Sequence, residues 1–155
     1  MNILASIAGG LAGAVAVTLL NEVIKKFDPE APRLDLLGMN AVSKGFNEAH
    51  EQVPARKDQY KYSLAADLIG NTLFFALAGK GSAKGALTKG SLLGLTGGLG
   101  AVLTPKPLGL DAKQTNKTSK TQIMTVAYYL IGGLVAGAVG KMLAKESSSG
   151  PLFVK

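Results

Sequence analysis

The stretch "YSLAADLIGNTLFFALAG" (residues 62–79) poses the central problem of this sequence. It approaches the roughly 20 apolar residues that cross about 30 Å of hydrocarbon as a helix. Two of its side chains do not suit that setting. Asp67 and Asn71 stand four apart, so on a helix they share one face, a single turn from each other. A carboxylate in hydrocarbon costs at least about 2.5 kcal/mol by insertion scales, so it should turn inward toward water, a partner or a bound cation.

Three further windows have the same character: "ILASIAGGLAGAVAVTLL" (3–20, running on to 24), "GALTKGSLLGLTGGLGAVL" (85–103) and "TQIMTVAYYLIGGLVAGAVGKML" (121–143). The sequence therefore predicts an all-α fold, an integral membrane bundle of four transmembrane helices over about 3–24, 62–79, 85–103 and 121–143. Residues 1–145 make one membrane domain, and 146–155, Ser/Gly-rich and then briefly apolar, form a flexible tail outside the fold. Ala14-Val15-Ala16 resembles a signal-peptide cleavage site, but Met1-Asn2 provides no basic region before it, which favours a retained span.

Composition agrees. Of 155 residues, 47% are hydrophobic and only 17% charged, against roughly 25% charged in a soluble domain. Glycine, at 20 residues, stands at about 13% where about 7% is usual. With no Cys and a single His, His50, there is no disulfide framework, no Cys-based metal site and no multi-His cluster within one chain. The net charge of +7 does not indicate nucleic acid, because Lys and Arg are spread between apolar spans rather than gathered among aromatics.

The loops are unlike one another. "KGSAKG" makes a tight turn between spans two and three, whereas 104–120 is polar and carries Pro105 and Pro107. In the long loop 25–61, Leu34, Leu37, Val42 and Phe46 recur among polar residues, the pattern of one short amphipathic interfacial helix. A helix covering an opening into the bundle is the alternative. Lys and Arg number seven in loop 25–61 and four in loop 104–120, against five on the opposite face. That asymmetry places both loops in the cytoplasm and both termini outside, as in the inner membrane of a bacterium.

Glycine recurs at intervals of four in three spans: Gly9 and Gly13; Gly90, Gly94 and Gly98; Gly133 and Gly137. Such spacing makes a smooth face where another helix approaches closely. The face serves either packing within the chain or a homo-oligomer.

At about 1.5 Å of rise per residue, several polar side chains fall in the leaflet nearest the long loops. Asn21 and Glu22 close span one, Asp67 and Asn71 lie in span two, and Gln122, Thr125, Tyr128 and Tyr129 open span four. Together they are the candidates for a polar cavity, with oxygen ligands suited to protons or hard cations. No phosphate loop, GxSxG or HExxH motif is present, and the sequence implies neither an enzyme nor a cofactor. The leading expectation is a small transporter or channel-like protein. The alternative is a non-catalytic assembly subunit whose glycine faces bind copies of itself or a larger membrane partner, and a pore-forming, holin-like role comes third.

Overall fold

The computed structural model describes residues 1–148, all-helical with no strand among them. The tail predicted for 146–155 lies outside the described residues from 149 onward. Helix α1 (Ile3–Ile24) is capped by Asn2, whose side chain accepts from the Ala5 amide at 2.7 Å. Then come α2 (Leu34–Glu48), α3 (Arg56–Ala76), α4 (Ala86–Leu103), the short α5 (Lys113–Asn116) and α6 (Ser119–Ser148). Two single turns of tighter helix, Leu77–Gly79 and Ala83–Gly85, join α3 to α4.

Four segments are long and apolar enough to cross a membrane: Ile3–Ile24, Arg56–Gly79, Ala83–Leu103 and Ser119–Glu146. The second begins at Arg56 rather than at residue 62. Arg56, Lys57 and Gln59 are too polar for an apolar window, but Arg, Lys and Gln are good helix formers. A hydropathy window reports the apolar stretch, and the hydrogen-bonded helix runs past it.

Helix α6 lies between α1 and α4, and α3 packs mainly on α1. Glycines set these contacts. A Cβ at Gly9 would lie 2.6 Å from the Ala136 carbonyl oxygen, and one at Gly13 would lie 2.5 Å from that of Gly132. On the other flank of α6, Gly90 and Gly133 face each other backbone to backbone. Gly94, Gly98 and Gly137 meet the main chain at Tyr129, Val126 and Ala86. All seven glycines of the sequence pattern are thus turned toward another helix of the same chain. The apolar surface points the other way: Leu11 and Leu19 on α1, Ile69 and Leu73 on α3, Leu92 and Leu99 on α4, and Ile123 on α6 are all exposed.

Large side chains fill what the glycines leave open. Phe75 is fully buried, its ring centroid 5.4 Å from Phe74 and 6.4 Å from Tyr129, in a core shared with Val17, Leu34, Tyr128 and Ala136.

The two long connections interlock at one end of the bundle. Gln114 accepts from the Arg33 amide at 2.8 Å, the Thr121 hydroxyl donates to the Glu30 carbonyl at 2.7 Å, and Lys120 pairs with Asp28 at 2.6 Å. At the other end the N-terminal ammonium of Met1 donates to the Gly81 carbonyl at 2.5 Å, and Lys89 turns back to the Lys80 carbonyl.

Two substitutions test this arrangement. Gly133→Ala drives a methyl into the Gly90 carbonyl and is expected to cost about 1–3 kcal/mol, the usual penalty of overpacking. Gly100 has open space around it, so Gly100→Ala should gain about 0.5–1 kcal/mol of helix stability. Thermal melting in detergent, followed by circular dichroism, should rank Gly100→Ala above wild type and Gly133→Ala below it. Equal midpoints for all three would deny the close contact.

Candidate functional site

The last turns of α1, the first turn of α2 and the middle of α3 converge on a polar cavity of about 30 Å³, with Tyr129 of α6 closing it. At roughly 10–15 Å³ per water, it holds two or three water-sized occupants. On α3, Tyr60, Ser63, Asp67 and Asn71 follow one another at intervals of three, four and four, and so line one face of the helix.

Helix α2 is held over this face by side chains from α1. Its N-cap, Arg33, makes no side-chain capping bond, and the Leu34 amide is taken instead by Asn21 Oδ1 at 3.0 Å. Asn21 is buried, and its amide nitrogen donates to Glu22 at 3.4 Å. Lys25 joins the two helices through Glu22 at 2.6 Å and Asp35 at 3.1 Å. Arg33 grips the same Asp35 with two bonds of 3.0 and 2.8 Å. Gly38 completes the seat: a Cβ there would run into Ser63 Oγ and come within 3.3 Å of Asp67 Oδ2. The amphipathic helix of the long loop therefore leans on α3 and covers the cavity.

Electrostatics differ sharply between the two aspartates. Burial, the largest single influence on Asp35, pushes its carboxyl up. The hydrogen bonds and charges of Arg33 and Lys25 together outweigh it and hold the group at about 2, against an ordinary 3.8. For Lys25, burial acts to lower the pKa, but its bonds to Glu22 and Asp35 prevail and raise it. Asp67 has no such support. It is half-buried, makes no hydrogen bond or ion pair with any described residue, and feels the like charge of Asp35. Ser63 is 2% exposed, and its hydroxyl also lacks a partner. Asn71 faces the Tyr129 hydroxyl, and Tyr60 faces Glu22.

Of the residues singled out from sequence, Asn21, Glu22, Asp67, Asn71 and Tyr129 line the cavity, and Gln122, Thr125 and Tyr128 do not. Thr125 donates to the carbonyls of Thr121 at 2.8 Å and Thr115 at 3.3 Å, tying α6 to the loop before it. Gln122 donates to Asn116. Tyr128 is in the apolar core, where its hydroxyl has no partner. Rise along a helix gives depth only; successive residues are turned by 100°, so Tyr128 and Tyr129 face different ways at nearly one height. Sequence reasoning missed Tyr60, Ser63 and Asp35. The 3-4-4 spacing on α3 was the available signal for the first two. Nothing local marks Asp35, which is brought in by the fold-back of α2. His50 is exposed, beyond the end of α2.

No protein-family profile, characterised protein or solved structure matches this chain.

Acid tests the pairing at Asp35. Because its folded pKa is depressed, its stabilisation is complete above about 4 and is lost as pH falls from there toward about 2. Thermal melting across that window should show an acid limb that Asp35→Asn lacks. Asp35→Ala, which leaves Arg33 without its partner and Lys25 with Glu22 alone, is expected to cost about 1–3 kcal/mol at neutral pH.

Proposed function

We propose that this is a small integral membrane protein of transporter or channel-like type, whose cavity takes protons or a small cation from the cytoplasmic side. Membrane insertion is supported by four long apolar helices and by leucines exposed around the bundle while its glycines face inward. Orientation follows from charge. Lys and Arg are concentrated in the two loops that interlock at one end, which supports a cytoplasmic position for that end, as in a bacterial inner membrane, with both termini outside.

The observation that carries the function is Asp67. A half-buried carboxylate without a partner among the described residues, beside a water-sized polar cavity, is costly unless something positively charged visits it. Structural glue between helices is the ordinary use of such a residue, but glue requires a bonded partner. Asn21 fits that description and Asp67 does not. The alternative of an assembly subunit acting through glycine faces has less support, since those faces are taken up by neighbouring helices of the same chain. The small cavity also favours ions over larger solutes.

The absence of native Cys makes a direct test possible. Single replacements Asn71→Cys and Tyr60→Cys, at part-exposed positions lining the cavity, should react in oriented vesicles with a membrane-impermeant thiol reagent added on the side of the long loops. Proteoliposomes carrying the wild type should pass protons or alkali cations down a gradient, and Asp67→Asn should abolish that flux in folded protein. Unreactive thiols from both sides, together with full flux in Asp67→Asn, would refute this function.

A further inference from the structure

The charged groups around the cavity do not balance. Glu22 from α1, Asp35 from α2 and Asp67 from α3 supply three carboxylates. Lys25 and Arg33 supply two cations, and both are engaged with Glu22 and Asp35. Tyr60 and Tyr129, which face the same space, are neutral phenols. The cluster is therefore one positive charge short, and the deficit is at Asp67, the carboxylate without an ion-pair partner.

A second, independent feature points into the same space. Ser63 Oγ is almost wholly buried, lines the cavity, and has no hydrogen-bond partner among the described residues. A buried hydroxyl without a partner carries its full desolvation cost, so such groups are normally satisfied. The Ser63 hydroxyl and the Asp67 carboxylate both lie against Gly38, yet they do not bond each other. A proton placed on Asp67 would neutralise the charge but would need a separate water to satisfy Ser63. A water alone would satisfy Ser63 and leave the charge. A small cation between the two, with a water at most, answers both.

Resting on the cavity reading above, we infer that this site binds one alkali-metal cation of about sodium's size, held by the Asp67 carboxylate, Ser63 Oγ and the side-chain oxygen of Asn71. Charge and donor type define the class. One uncompensated carboxylate with neutral oxygens suits a hard monovalent ion. Calcium takes six to eight oxygens, and among the described residues no three His, Asp or Glu side chains are placed to hold a metal together. The cavity of about 30 Å³ admits either Na⁺ or K⁺ with little of its water shell, and the closer approach of the smaller ion to the Asp67 carboxylate favours Na⁺.

The test is thermal melting of the full chain in detergent, with NaCl, KCl, CaCl₂ and choline chloride compared at equal ionic strength and fixed pH, alongside binding of radioactive sodium. Na⁺ should raise the midpoint above that in choline, with K⁺ weaker, and sodium should bind at one per chain. Asp67→Asn should lose the sodium response. Ser63→Ala, a small change that leaves the charges intact, should weaken the apparent affinity by about tenfold or more, the worth of one hydrogen-bonding contact to a charge. Ser63→Ala and isotope binding to the wild type keep the question answerable if Asp67→Asn does not fold. Equal midpoints in all four salts with no bound isotope would overturn the sodium site. So would stabilisation by lower pH in place of Na⁺, or a larger response to Ca²⁺. In each of those cases, thiols still labelled from the long-loop side would leave the cavity reading standing.

Discussion

At Gly133 the backbone of α6 presses on the Gly90 carbonyl of α4 so closely that not even a methyl group fits between them. The contacts of Gly9 and Gly13 on the opposite flank are nearly as tight. Helices that approach this far gain their stability from backbone and small-atom dispersion contacts, summed over a long interface. Leucines and isoleucines are excluded from these faces and end up on the outside, which gives the bundle an apolar outer surface.

Close packing at α6 also creates the place where it fails. Helix α3 is held by α1 and has little contact with α6 or α4, so larger side chains occupy the interval. Phe74, Phe75 and Tyr129 fill it. One turn nearer the long loops the fillers become Asn71, Asp67 and Ser63, and the interval becomes a polar cavity. The same helix face thus changes from hydrophobic packing to oxygen chemistry within two turns.

What keeps that cavity covered is a set of paired polar groups. Asn21 supplies the missing cap of α2, and Lys25 and Arg33 hold Asp35 in its first turn. Fully bonded groups of this kind anchor a helix but have no capacity left for a ligand. Asp67 and Ser63, under Gly38, are the reverse: neither has a bonded partner among the described residues. The contrast between Asp35 and Asp67 separates the bonded half of the polar cluster from the half without partners among the described residues.

Hydropathy and spacing are properties of neighbouring residues, and what depends on neighbours was legible in the chain: four apolar helices, the intervals of four between glycines, and the anomaly of Asp67 beside Asn71. The candidate site was half legible for the same reason. A helical face such as Tyr60, Ser63, Asp67 and Asn71 is written in local intervals, even where only its middle was noticed. The rotation of each helix about its own axis is not local. It brought Tyr129 to the cavity while sending Tyr128 into the core and Thr125 to the loop, because the glycine contacts of α6 with α1 and α4 leave one rotation that avoids a clash. Asp35 came to the site through an ion pair ten residues from Lys25, across a turn that no periodicity describes. Whether the glycine faces look inward or outward was likewise settled only by which helices lie side by side.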